Sequence, residues 1–264
     1  MTVVSTNGNA ANDEPRIERL VSAAPGVVIV CIDGADQATY EKYRAGGRLD
    51  TALGTVRRLR RARENLKSAY PLVEFRSLAL RDNEHQMPDL LAMAEDCGAD
   101  LFSVKSLRPY DYRGTSVDDE LAPLDPDLAR YRYRDSGRRA AKERSDFVRQ
   151  GPLRCARPYY SPALNSDGTL AFCSYAASPR EQFGDVGKEG FPAVWRSARA
   201  RENRALFTRH GGSECCRTCY FRSDHKPTIL HQVPLGPAPP HVEVLFPKTR
   251  SEFLEACPAA RASA

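Results

Sequence analysis

Eight cysteines are spread along 264 residues, and five of them fall between Cys155 and Cys219. Cys155 is followed by twelve residues, Gly168, four more residues and Cys173. After a long gap comes Glu214-Cys215-Cys216-Arg217-Thr218-Cys219. Cys155, Cys173 and the Cys-x2-Cys pair Cys216/Cys219 can therefore converge on one metal centre. Four thiolates hold either an iron–sulfur cluster or zinc. Zinc sites usually come as two short knuckles, and Cys155 with Cys173 is not one, which favours the cluster. Cys215 offers a second spacing to Cys219, with three intervening residues.

A disulfide framework does not suit this chain, which is long enough to build a core without staples. Met1-Thr2-Val3-Val4 has no basic stretch of the secretory kind, so the expectation is a reducing cytoplasm with cysteines as ligands or buried thiols. No apolar run approaches the ~20 residues that a membrane span needs. The formal charge of +5 is modest and does not by itself argue for nucleic acid.

The thiols must be positioned by local structure. Asn165-Ser166-Asp167-Gly168-Thr169 reads as a tight turn, because glycine takes positive φ cheaply and Asn/Asp favour turns. Tyr159-Tyr160 and Leu170-Ala171-Phe172 are the expected hairpin arms, which would bring Cys155 and Cys173 together at the open end. Residues 1 to about 110 alternate strand and helix patterns. Strands are expected at Thr2–Ser5, Val27–Ile32, Leu72–Leu80 and Leu101–Lys105. Helices are expected at Glu14–Ala23, from Asp36 to Tyr43, at Leu49–Ser68 and at Met87–Cys97. The continuous apolar run Val27–Ile32 suits a strand buried on both faces, and the alternation argues a parallel α/β layout.

Cys155-x12-Gly168-x4-Cys173 with Cys216-x2-Cys219 resembles the auxiliary-cluster region of radical S-adenosylmethionine proteins, the SPASM and shorter twitch domains. Gly184-Asp185-Val186, Phe191-Pro192-Ala193-Val194-Trp195 and Arg201 through Arg204 look like the segment between that family's cysteine pairs. Further cysteines soon after Cys219 are missing, as in the single-cluster version. Thr6-Asn7-Gly8 and Ile32-Asp33-Gly34 through Arg44 resemble the segments after the third and fourth barrel strands. The resemblance thus covers about residues 2 to 223. It implies an α/β fold: a partial parallel (βα) barrel of about four βα units, followed by a small cysteine-rich α+β domain. It also implies an auxiliary [4Fe-4S] cluster on Cys155, Cys173, Cys216 and Cys219. Asn7, Cys31 and Asp33 would lie at the nucleoside-binding strand ends, with Cys31 where the family often has a ribose-contacting Ser. Read from the residues alone, Cys31 is equally well a small buried side chain and Asp33 a turn former.

The family's Cys-x3-Cys-x2-Cys loop, whose open iron binds S-adenosylmethionine, has no counterpart in this sequence. Nor has its glycine-rich turn. The chain reads as a barrel truncated before its third strand, so S-adenosylmethionine is an expected cofactor only if the missing part is supplied. The function implied by the resemblance is that of an iron–sulfur protein whose intact relatives cleave S-adenosylmethionine reductively to modify or oxidise a substrate. The alternative is a non-catalytic electron-transfer or scaffold protein, or a truncated inactive fragment. An electron donor such as flavodoxin or ferredoxin is the partner that the resemblance implies; the substrate is not legible.

The expected domains are the partial barrel at 1–112, a linker or helical region at 113–150, the cysteine-rich domain at 151–223 and a Pro-rich mobile tail at 224–264. Residues 130–157 hold ten Arg or Lys against three acids. They read either as a surface for an acidic partner or as a solvated arginine-rich helix; the abundance of Arg throughout favours the second.

Overall fold

The computed structural model describes residues 2–10, 13–107, 121–125, 127–128, 157–174, 176, 181–209, 229–237, 244 and 247–257. The chain divides into two units. One comprises Met1–Arg134 with Pro227–Ala264, the other Asp135–Lys226.

The first unit holds a five-stranded sheet in which Val3–Thr6, Val27–Cys31, Leu72–Ala79, Leu101–Ser106 and Ile229–Pro234 are neighbours in that order. Strands β1 (Val3–Thr6), β2 (Val27–Cys31), β3 (Leu72–Ala79) and β4 (Leu101–Ser106) are parallel neighbours. They alternate with α1 (Glu14–Ser22), α2 (Gln37–Tyr43), α3 (Leu49–Asn65) and α4 (Met87–Asp96). This is the βα alternation that the sequence predicts, with boundaries within a few residues.

Local chemistry sets the helix starts. Asp13 and Asp36 each accept a backbone N–H from three residues on, relieving the unpaired donors of the first turn. Helical spacing then buries Ile17 and Val21 of α1, and Leu53, Val56 and Leu59 of α3. They meet Val28, Val30, Phe75 and Phe102 from one face of the sheet in a single core. The opposite face begins with Val27, Ile29, Leu72 and Leu101, also buried. Burial on both faces is why these strands are continuously apolar.

The expected mobile tail at 224–264 is corrected. β8 (Ile229–Pro234) pairs antiparallel with β4. α9 (Arg250–Ala256) starts at a capping box between Thr249 and Glu252 and buries Phe253 against Phe102. Cys257, which falls in the expected tail, is buried and donates to the Phe253 carbonyl at 3.3 Å. The prolines do bar a helix near 234, but Pro234 ends an edge strand, where proline is tolerated. The expected linker is likewise partly packed: Ala122 lies with Leu80 and Leu107, and Leu128 joins the main core.

In the second unit, β5 (Ala163–Leu164), β6 (Thr169–Ala171) and β7 (Gln182–Asp185) form an antiparallel sheet. Among the described residues, helices α5 (Arg157–Tyr160), α6 (Val186–Glu189), α7 (Phe191–Arg196) and α8 (Ala198–Arg209) accompany it. The α+β character matches the expectation, but one hairpin arm does not. Tyr159 and Tyr160 lie in α5, where Pro158 suits an opening helical turn. The arm is instead Ala163–Leu164, registered with Ala171 and Leu170.

Candidate functional site

Because β1 to β4 run parallel, Thr6, Cys31, Ala79 and Ser106 end at one edge of the sheet, where ligands of parallel sheets bind. Asn7 follows β1 and Asp33 follows β2 at this edge. Asn7 is exposed, and its Oδ1 accepts the Asn9 N–H at 3.0 Å. Gly8 makes that turn possible: its φ is +74°, and a Cβ there would stand 2.9 Å from Ala52 Cα of α3. Asn9 Nδ2 donates to the Tyr40 hydroxyl at 2.7 Å, and Tyr40 donates to the Asn7 carbonyl at 3.3 Å. Burial raises the Tyr40 phenol above its usual pKa, which keeps it protonated and able to donate.

Asp33 is 1% exposed, and both its oxygens are engaged within the protein. Arg44 Nε and Nη2 donate to Oδ2 at 2.7 and 2.6 Å, and the Leu78 N–H donates to Oδ1 at 2.7 Å. Burial pushes the carboxyl up, against the pull of Arg44 and of the Leu78 N–H. Burial also works against the charge on Arg44, yet the carboxylate beside it holds the guanidinium above its usual value.

The loop that carries Asp33 is held by two residues that the sequence reading missed. Asn83 Nδ2 donates to the Asp33 carbonyl at 2.9 Å, and Gln86 Oε1 accepts the Ala35 N–H at 2.9 Å. Both are buried in the turn between β3 and α4. A signal for them existed: amides just ahead of an apolar helix favour caps and turns.

Cys31 is half-buried, with Sγ 3.6 Å from Ser5 Oγ. It begins a row across the sheet, because Cys31 pairs with Arg76, Arg76 with Ser103 and Ser103 with Gln232. Arg76 is anchored by Glu74, which accepts from Nη2 at 2.6 Å and Nε at 2.8 Å, while Gln232 Nε2 donates to Ser103 Oγ at 3.1 Å. Sequence reasoning missed this row; its trace was the polar residue at every second position of Leu72-Val73-Glu74-Phe75-Arg76. The edge thus presents the exposed Asn7 amide, and the sheet face beside it the half-buried Cys31 thiol and Arg76 guanidinium, able to take polar or anionic ligand groups, while Ser103 and Gln232 are buried.

The predicted thiol site lies in the second unit. Its turn is as expected: Gly168 has φ +86°, Asp167 Oδ1 accepts from Thr169 N and Oγ1 at 2.9 and 2.6 Å, and these bonds hold the Asp167 carboxyl below its usual pKa. Cys173 lies two residues beyond β6, 7% exposed among Leu170, Phe172, Phe183 and Val194. A thiol in a dry apolar shell suits a cluster ligand. Cys155, Cys216 and Cys219, and the alternative Cys215, lie outside the described residues. Among the described residues no group of three or more His, Cys, Asp or Glu converges to hold a metal, and no helix is long and apolar enough to cross a membrane.

Comparison with known proteins matches residues 155–220 to SPASM, an iron–sulfur cluster-binding domain. The matched span contains all four predicted ligands and Cys215. No curated protein matches the chain. Among solved structures, native anSMEcpe with bound AdoMet is similar at 12% identity, with 83% of this chain and 62% of that one covered and a TM-score of 0.46. Streptococcus suis SuiB bound to S-adenosylmethionine is similar at 12% identity, with 78% of this chain and 50% of that one covered and a TM-score of 0.49. The chain therefore spans between half and two thirds of the length of these proteins.

Proposed function

We propose, from the SPASM domain at residues 155–220, that this chain is a radical S-adenosylmethionine/SPASM iron–sulfur protein that holds an auxiliary [4Fe-4S] cluster on Cys155, Cys173, Cys216 and Cys219. The observation that carries the reading is that one matched domain encloses all four thiols. Such a cluster, when bound, supplies one-electron chemistry at a potential set by its surroundings. The protein's own part is to hold the thiols. The Asn165–Thr169 turn fixes the hairpin, and the apolar shell of Leu170, Phe172 and Phe183 keeps water from Cys173. Asn7 at the sheet edge, with the half-buried Cys31 and Arg76 on the adjoining sheet face, are the groups offered to a nucleoside or substrate. Asp33 acts there through Arg44, as a positioning residue. Reduction would come from an electron donor such as flavodoxin or ferredoxin.

A second reading, an iron–sulfur electron-transfer or scaffold protein without catalysis, is favoured by one observation. Residues 1–264 contain no Cys-x3-Cys-x2-Cys.

Anaerobic reconstitution tests the cluster. The expected result is about four irons and four sulfides per chain, as four thiolate ligands allow. Cys173→Ala and Cys216→Ala should lose the cluster, whereas Cys215→Ala should keep it. One zinc and no sulfide would overturn the reading; equal loss in the two neighbours would reassign the ligand.

A further inference from the structure

We propose that the sheet face at Cys31, Arg76, Leu78 and Lys105 is a binding site for a carboxylate-bearing ligand, whose carboxylate is taken by the Nη1/Nη2 edge of Arg76. The proposal rests on the reading of this part of the sheet as a ligand site. Its test needs no cluster, so it and the cluster reading fail separately.

This face of the sheet is closed at one end and partly open at the other. Toward the N-terminal ends of the strands, Val27, Ile29, Leu72 and Leu101 are buried, with Val244 packed against them. Toward the C-terminal ends the same face carries Cys31, Arg76, Leu78 and Lys105, each half-buried. Their neighbours on the helix-covered face, Ser77, Ala79, Val104 and Ser106, are all buried. The alternation follows from the strand period of two. Cys31 registers with Arg76, and Leu78 with Lys105, on adjacent parallel strands. The four half-buried side chains therefore form one patch at the strand ends, where parallel sheets bind ligands.

Arg76 is held for end-on recognition. Glu74, 4% exposed, accepts from Nε at 2.8 Å and from Nη2 at 2.6 Å, both on Oε1. These bonds occupy one side of the guanidinium. Among the described residues Nη1 has no hydrogen-bond partner, and the Arg76 side chain is 21% exposed. The remaining Nη1/Nη2 edge is a planar fork that matches the two oxygens of a carboxylate. Because Glu74 fixes the direction of the fork in advance, less rotamer freedom is lost when a ligand arrives. Glu74 also selects the ligand's charge. It offsets much of the charge on Arg76, so a monoanion meets less repulsion than a phosphate dianion. Lys105 is a second basic residue on this face, diagonal to Arg76 and about 8 Å away, backbone to backbone, by strand spacing and rise. Arg76 is thus the residue that touches the ligand, and Glu74 positions it.

Cys31, registered beside Arg76, serves as the reporter. It is half-buried, whereas Cys97, Cys173 and Cys257 are buried. Iodoacetate and iodoacetamide present a carboxylate and a neutral amide on the same electrophile. Each alkylates a thiol identically: the Sγ–C bond forms, the C–I bond breaks, iodide leaves and the thiol proton passes to buffer. The full chain is treated with each reagent, and the rate at Cys31 is read by mass spectrometry of its peptide. The iodoacetate-to-iodoacetamide ratio is divided by that of free 2-mercaptoethanol. Intrinsic reactivity and any change in thiol ionisation then cancel. The normalised wild-type ratio should be about ten, the scale of one charge-assisted hydrogen bond. Arg76→Gln should return it to near one. Arg76→Lys, which keeps the charge without the fork, should lose most of it. Propionate should protect Cys31 from iodoacetate better than phosphate does at equal ionic strength. A wild-type ratio near one would overturn the proposal, as would a ratio kept in full by Arg76→Lys or equal protection by phosphate. The wild-type ratio and the protection series decide the matter even where a variant does not fold.

Discussion

Asp33→Asn isolates the group on which the first unit's sheet edge depends. The substitution keeps shape and removes charge. In the native protein one oxygen takes two Arg44 N–H groups at 2.7 and 2.6 Å and the other takes the Leu78 N–H at 2.7 Å. An amide offers one oxygen for these two directions. If that oxygen faces Arg44, the amide nitrogen confronts another donor at Leu78; if it turns, Arg44 confronts an NH2. Breaking a buried pair by removing one partner costs about 3–5 kcal/mol. The Asp33 side chain is 1% exposed but that of Arg44 is 27% exposed, so water relieves part of the loss. The lower end, about 3 kcal/mol, is therefore expected. For a domain of this size that lowers the melting temperature by about 6–12 °C. Thermal melts followed by circular dichroism measure it. Arg44→Met should also destabilise, and the double variant should lose less than the sum, because the two share one interaction. An Asp33→Asn protein melting within about 2 °C of wild type would refute the assignment of this carboxylate to structure.

Phe253→Ala tests the correction at the C-terminal segment. This ring is 1% exposed and meets Phe102 at 5.5 Å, so truncation should cost about 3–5 kcal/mol. Unchanged chemical denaturation would show that the segment does not pack. A further prediction concerns activity. A cluster with four protein thiolates has no iron open to an amino and carboxylate chelate, and the three-cysteine loop that leaves one open is not in this sequence. The reduced, reconstituted chain alone should therefore form no 5′-deoxyadenosine from S-adenosylmethionine. Chromatographic detection of multiple turnovers would sink that account.

The central fold was legible because its signals are local. Val27–Cys31 is apolar throughout, and a strand buried on both faces requires that. Asp13 and Asp36 announce helix starts by side-chain chemistry that acts within three residues. Gly168 marks its turn for the same reason. What escaped depends on distant partners. Ile229–Pro234 mixes polar and apolar residues among prolines, and pairing with β4 makes it a strand. Asn83 and Gln86 are ordinary turn amides until the loop after β2 is laid against them. Tyr159-Tyr160 has strand propensity, but Pro158 and the Pro158 carbonyl's bond to Arg204 favour a helical turn there. At the candidate site, the cysteine spacing was legible, whereas the apolar shell of Cys173 was not, because Phe183 and Val194 are brought to it by packing.

The polar row of the sheet follows from the core itself. Side chains alternate along a strand, so a one-residue slip would exchange the two faces. Val28, Val30, Phe75 and Phe102 fill the helix-covered face and fix the register strongly, since any slip would expose them. The same register aligns Cys31, Arg76, Ser103 and Gln232 on the other face. Placing these groups therefore needs no separate device beyond the Glu74 anchor on Arg76 and the amide bond between Gln232 and Ser103. The thiols of the second unit are different in kind. Cys173 has no large sheet to specify it, so its placement rests on a five-residue turn and a small apolar shell. Substitutions in the shell of Phe172 and Phe183 should accordingly act on a cluster bound through Cys173, whereas substitutions around Arg76 should leave its spectrum unchanged.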